Sequence, residues 1–65
     1  MSQKQTILNH LKGGSHITPL EAIGLYGVYR LAARIFELRS EGIEIKTDVK
    51  RDSIGRPYSR YTLAA

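Results

Sequence analysis

Residues 17–42 read ITPLEAIGLYGVYRLAARIFELRSEG, a stretch whose pattern holds two helices with a break between them. Thr18-Pro19-Leu20-Glu21 is a helix start. The Thr18 hydroxyl caps, Pro19 occupies the first turn where its missing N–H is not needed, and Glu21 is the acid of a capping box. Ile17, just ahead of the cap, is placed to staple against Ala22. This helix is short: Gly24 and Gly27 fall close together, and Leu25-Tyr26-Gly27 reads as the break. A longer helix is predicted from about Val28 to Glu41, ended by Gly42. At about 100° per residue, Val28, Leu31, Ala32, Ile35 and Leu38 gather on one arc. Arg30, Ala33, Arg34 and Glu37 fall on the opposite arc, flanked by Tyr29 and Ser40. The expected outward face is therefore small in its middle and basic towards its start.

Upstream, Ser2 to Lys12 is a first helix. Ser2 caps it, Gln5 completes a capping box, Ile7, Leu8 and Leu11 form an apolar stripe, and Gly13-Gly14 ends it. That glycine pair is no phosphate loop, because no strand precedes it and no GK[ST] follows. Ser15-His16-Ile17 is long enough only for a strand fragment. Downstream of Gly42 the period changes to two. Ile43, Ile45, Thr47 and Val49 alternate with Glu44, Lys46, Asp48 and Lys50. After the polar turn 51–56, Ser59, Tyr61 and Leu63 alternate with Tyr58, Arg60 and Thr62. Two such runs make an antiparallel hairpin. Its inward residues Ile45, Val49, Tyr61 and Leu63 are expected to cover apolar surface that three short helices leave open.

The whole chain has 65 residues, about half of an ordinary domain, so a single domain over 1–65 is expected. It contains no cysteine, which removes disulfides and zinc–thiolate sites as supplements to a small core. Two histidines make a poor metal cage. No metal or cofactor is expected. Hydrophobic residues at 42% and charged residues at 25% exclude a disordered chain, and no apolar run is long enough to span a membrane. No hydrophobic signal core opens the sequence, so a cytoplasmic protein is expected. The initial Met and single-domain length suggest a complete chain. The six acids include none placed beside a histidine as a catalytic base, and so short a chain has little room for a closed pocket; an enzyme is not expected. Ten Lys and Arg against six Asp and Glu give a net charge of +4, which attracts polyanions. The positive charge is densest in 49–65, where Lys50, Arg51, Arg56 and Arg60 face only Asp52 and are interleaved with Tyr58 and Tyr61.

Three helices, the second and third spaced as a helix-turn-helix, followed by a hairpin wing, amount to an α+β winged helix-turn-helix. AARIFELRSEGI, residues 32–43, resembles the end of a winged-helix recognition helix leading into its wing. The stretch 17–42, together with GRPYSRYTL at 55–63, is similar to the small helix-turn-helix domain family of phages and prophages. The interval from Ala22 to Gly27 is one residue longer than the usual small-residue-to-glycine spacing. The resemblance implies sequence-specific binding of double-stranded DNA, in transcriptional regulation of phage genes or as an excision or architectural factor.

A recognition helix presents its first turns to base edges in the major groove. On that reading Arg30 and Arg34 are candidates for bidentate bonds to guanine, Ala33 for close approach or a thymine methyl, and Tyr29 for a phosphate. Glu37 either accepts from cytosine or holds one of the arginines. Arg39 falls near the buried arc in the last turn, so its expected role is structural. In the wing, Arg56 is the candidate for the minor groove and Lys50 and Arg51 for phosphates, with Tyr58 beside them. Arg60 either joins them or pairs with Asp48 across the hairpin. Thr18 either holds a phosphate at the helix start or is a plain N-cap. His10 and His16 read as polar surface. Tight binding by so small a module calls for a homodimer or tandem copies, with helix one or the region of Ala64 and Ala65 as the joining surface. The alternatives are a protein-interaction module for an acidic partner surface, or RNA binding through the wing and its tyrosines.

Overall fold

The computed structural model of the chain describes Ser2 to Ala64; Met1 and Ala65, the ends of the expected domain and part of the expected joining surface, lie outside the described residues. Helix α1 spans Gln3–Lys12, α2 Pro19–Tyr26 and α3 Leu31–Ser40. They are followed by strands β1, Ile45–Arg51, and β2, Pro57–Leu63, which pair antiparallel with Ile45 opposite Leu63 and Arg51 opposite Pro57. Ile17 joins the sheet as a single bridge to Tyr61, with both backbone N–H···O distances at 2.9 Å. The strand fragment read from the sequence is thus one residue long, and it ties the segment before α2 to the wing.

Local chemistry accounts for the helix ends. Ser2 Oγ accepts from Gln5 N at 3.1 Å, but the return bond of a capping box is not made. The Gln5 amide donates to Asn9 Oδ1 instead, at 2.9 Å and one turn on. At α2 the box is complete. Glu21 N donates to Thr18 Oγ1, and Thr18 N donates to the Glu21 carboxylate. Gly27 ends α2 in the left-handed conformation at φ +67, which a side chain disfavours.

That turn corrects the expected start of α3 from Val28 to Leu31. The Val28 N–H is bonded back to the Ala22 carbonyl at 3.0 Å, and its side chain is buried. It anchors the turn instead of opening the helix. Arg30 is the N-cap, and its carbonyl accepts from Ala33 N and Arg34 N.

One cluster forms the core: Ile7 and Leu11 from α1, Ile17, Ala22, Val28, Leu31, Ile35 and Leu38, with Ile45 and Tyr61 from the hairpin. Ile17 and Ala22 are both fully buried in it, as a staple requires. Val49, expected to face inward, is 69% exposed. It shares a sheet face with Ile45, but the strand is buried only at Ile45 and beyond it runs past the helices. Lys4 on α1 bonds Glu41 after α3, closing the two helices at their far ends. The hydrogen bond to Glu41 and its attraction raise the Lys4 pKa above the ordinary 10.5. The Lys4 contribution is therefore intact at neutral pH and is lost as pH climbs through that raised value.

Candidate nucleic-acid interface

The buried arc of α3 is largely the one helical spacing predicts, but its solvent face is turned away from Arg34 and Glu37 towards Ala32 and Phe36. Leu31, Ile35 and Leu38 are buried, whereas Ala32, expected on the same arc, is exposed. Ala33, Arg34 and Glu37, expected outward, are half-buried. The physical reason is α1. Arg34 Nη2 lies 3.1 Å from Glu37 Oε2, and Arg34 Nη1 donates to Gln3 Oε1 at 3.5 Å. Arg34 therefore spans the α1–α3 boundary, and Glu37 holds it. On the opposite flank Arg39 Nη2 donates to the Ile45 carbonyl and to Thr47 Oγ1, both at 2.7 Å. This structural use of Arg39 locks the base of β1 beside α3. The open arc left between these flanks carries Ala32, Phe36 and Ser40, with Ala33 at its edge and Tyr29 and Arg30 exposed before the first turn. Phe36, to which helical spacing assigns no role, is 71% exposed. Its signal in the sequence is its place one residue out of step with Ile35.

The wing residues separate into groups. Pairing places Lys46, Asp48 and Lys50 opposite Thr62, Arg60 and Tyr58, on the face away from the Ile45–Tyr61 core contacts. There Arg60 Nη2 approaches Asp48 Oδ2 at 3.7 Å, a half-exposed pair of small energetic weight. Tyr58 and Arg60 also line an open groove of about 630 Å³ with Thr18, Pro19, Leu20 and Ile23 at the start of α2. Thr18, Tyr58 and Arg60 therefore line one groove together, and Arg30 and Ala33 do not line it. Thr18 caps α2, its amide N–H and its hydroxyl oxygen both engaged.

Asp52 builds the wing tip. Its Oδ1 accepts from Ile54 N and Arg56 N, and its N–H donates to the Arg56 carbonyl. Arg51 Nη1 donates to the Gly55 carbonyl at 2.8 Å, which bonds a neutral group and leaves the guanidinium charge in place.

Both histidines have neighbours that periodicity does not show. His10 is not loose polar surface: it bonds Tyr26 Oη at 2.7 Å and the His16 carbonyl at 2.8 Å. An acid does lie near a histidine, since Glu21 Oε1 is 3.8 Å from His16 Nε2. That oxygen already accepts the Thr18 N–H, so it serves the cap.

Electrostatically, five of the six acids are engaged where the fold needs them. Glu41 holds Lys4, Glu37 holds Arg34, and Asp48 meets Arg60. Glu21 closes α2, and Asp52 shapes the wing tip. The side chains of Lys12, Arg30, Lys46, Lys50 and Arg56 have no hydrogen-bond or ion-pair partner among the described residues. The first turn of α3 holds no acid and its N-cap makes no side-chain bond, an end that favours anions. No described helix is long and apolar enough to cross a membrane.

A capped turn between two helices, a hairpin behind the second of them and a strand fragment pairing that hairpin define the winged helix-turn-helix architecture. The chain belongs to the winged helix-turn-helix domain family, which it matches over residues 2–65. No curated protein and no solved structure matches it. The family suggests DNA binding.

Proposed function

We propose that this chain binds double-stranded DNA, with the open arc of α3 in the major groove and the wing on the adjacent backbone or minor groove. The observation that carries the reading is the division of charge. Most of the acids are spent inside the fold, while Arg30 beside the α3 arc and Lys50 and Arg56 on the wing have no partner among the described residues. A fold that spends most of its acids internally and leaves half of its ten cations without a partner among the described residues is suited to a polyanion.

In this proposal Arg30 reads a base edge or grips a phosphate at the helix start, Ala33 allows close approach, and Tyr29 bonds the backbone. Lys50 and Arg51 position the wing, and Arg56 reaches from the tip towards the minor groove. Tyr58 and Arg60 support the wing from the groove side. Arg34 serves as a positioning residue, since Glu37 and Gln3 hold it. A single module of this size covers about 600–1,000 Å² of DNA, so two copies, as a dimer or on tandem sites, supply tight specific binding. The biological role, a phage-type transcriptional regulator or excision factor in the cytoplasm, rests on the likeness of residues 17–42 and 55–63 to phage and prophage domains.

Selection from a pool of random duplexes, followed by titration on the selected sequence, tests the reading. A preferred sequence emerges, and Arg30→Ala weakens binding to it by about 1–3 kcal/mol while relaxing specificity at one position. Absence of duplex binding at low salt defeats the proposal. Unchanged affinity in Arg30→Ala removes that residue from it.

A further inference from the structure

We infer that Phe36 reads thymine methyl groups from the middle of the open α3 arc, so that the duplex this chain prefers carries thymine where the helix crosses the major groove. The inference rests on the proposed DNA-binding mode and names the chemistry that the arc recognises.

Folding does not account for Phe36. Its neighbours Ile35 and Leu38 are each 1% exposed, while Phe36 is 71% exposed. Other large apolar side chains also lie in water, Leu20 and Tyr29 among them, but Phe36 is the one at the centre of the open α3 arc, where a partner seated on that arc covers it. Its surroundings are small: Ala32 stands one turn before it, Ala33 beside that and Ser40 one turn after, so the ring projects beyond them. Ser40 Oγ donates to the Phe36 carbonyl at 3.0 Å, which directs that hydroxyl into its own helix and leaves the arc apolar. The polar side chains at the edges are tied away from it, Arg39 to the base of β1 and Arg34 to α1 and Glu37.

Of the cations with no partner among the described residues, Arg30 next to the arc and Lys50 and Arg56 on the wing match a polyanion and oppose a basic protein surface. Charge complementarity thus commits the arc to DNA. In the major groove the C5 methyl of thymine is the apolar feature that a phenyl ring can cover.

The test compares two duplexes of equal length, alternating dA–dT and alternating dA–dU. They carry the same phosphates and the same hydrogen-bonding edges and differ in the methyl group. The natural chain binds the dA–dT duplex about fourfold more tightly for each methyl covered, the equivalent of one buried methylene-sized group. Phe36→Ala brings the two affinities together, and Phe36→Leu keeps part of the difference. Thermal midpoints of both variants close to that of the natural chain certify that the fold is intact; Phe36→Leu alone suffices if Phe36→Ala fails to fold.

Equal binding of both duplexes by the natural chain overturns the inference and leaves DNA binding standing. Discrimination that persists undiminished in Phe36→Ala also overturns it, because another group then reads the methyl. Binding to neither duplex at low salt overturns the DNA-binding reading itself.

Discussion

His10 shows how much a single side chain decides in so small a protein. Its Nε2 lies 2.8 Å from the His16 carbonyl, and its Nδ1 lies 2.7 Å from Tyr26 Oη. A carbonyl only accepts, so Nε2 carries the proton, and in the neutral ring Nδ1 receives the tyrosine hydroxyl. The two rings meet edge to face with centroids 5.6 Å apart. One residue of α1 therefore holds the loop before α2 and the last turn of α2. His10→Ala removes both partners at once and lowers the unfolding free energy by about 1 kcal/mol, the usual net worth of such bonds at partly exposed sites. Urea unfolding of His10→Ala, Tyr26→Phe and the double variant checks this. The two losses are expected to overlap in the double variant, and strict additivity would show that the pair is not coupled.

At the scale of elements, the turn between α2 and α3 sets the position of the candidate reading helix. Gly27 has φ +67, while Gly24, three residues earlier, lies within α2 and is not among the positive-φ glycines. An added Cβ meets no atom within 4 Å at either position, so steric clash does not distinguish them. Conformation does. Gly27→Ala is expected to destabilise by about 1–2 kcal/mol, the cost of a left-handed residue with a side chain. Gly24→Ala is expected to stabilise by roughly 0.5–1 kcal/mol, since alanine is the better helix former. Thermal unfolding of the two variants gives the opposite signs directly. A stable Gly27→Ala would mean that the turn can be made without the left-handed residue.

The molecule as a whole has one core cluster and a wing that leaves it after a single buried residue of β1. A chain of this size has a stability margin of roughly 3–5 kcal/mol. The connections between wing and helices, namely Arg39 to Ile45 and Thr47 and the Ile17–Tyr61 bridge, therefore matter out of proportion to their number. The division of charge is also a property of the whole. Lys50 and Arg56 have no partner among the described residues, whereas Lys4 is spent on Glu41. In fluorescence-anisotropy titrations on one duplex across salt concentrations, Lys50→Ala and Arg56→Ala should each reduce the slope of log K against log salt by about 0.9. Lys4→Ala should leave the slope unchanged. An equal effect of all three would mean that net charge alone drives binding, with no oriented surface.

Local information determined a large part of this protein. Capping at Thr18, the break at Gly27, the change of period after Gly42 and the cation-rich tail depend on near neighbours in the chain, and they yield three helices, a hairpin and a winged architecture. The side of α3 left open depended on tertiary structure. Helical periodicity fixes which residues share an arc, but which arc is covered depends on where a distant helix docks. Gln3 claims Arg34 from the far end of the chain, and Ile45 and Thr47 claim Arg39 from the following strand. Val49 is a similar case: alternation assigns its side of the sheet, and only the reach of the helices settles whether anything lies beneath it.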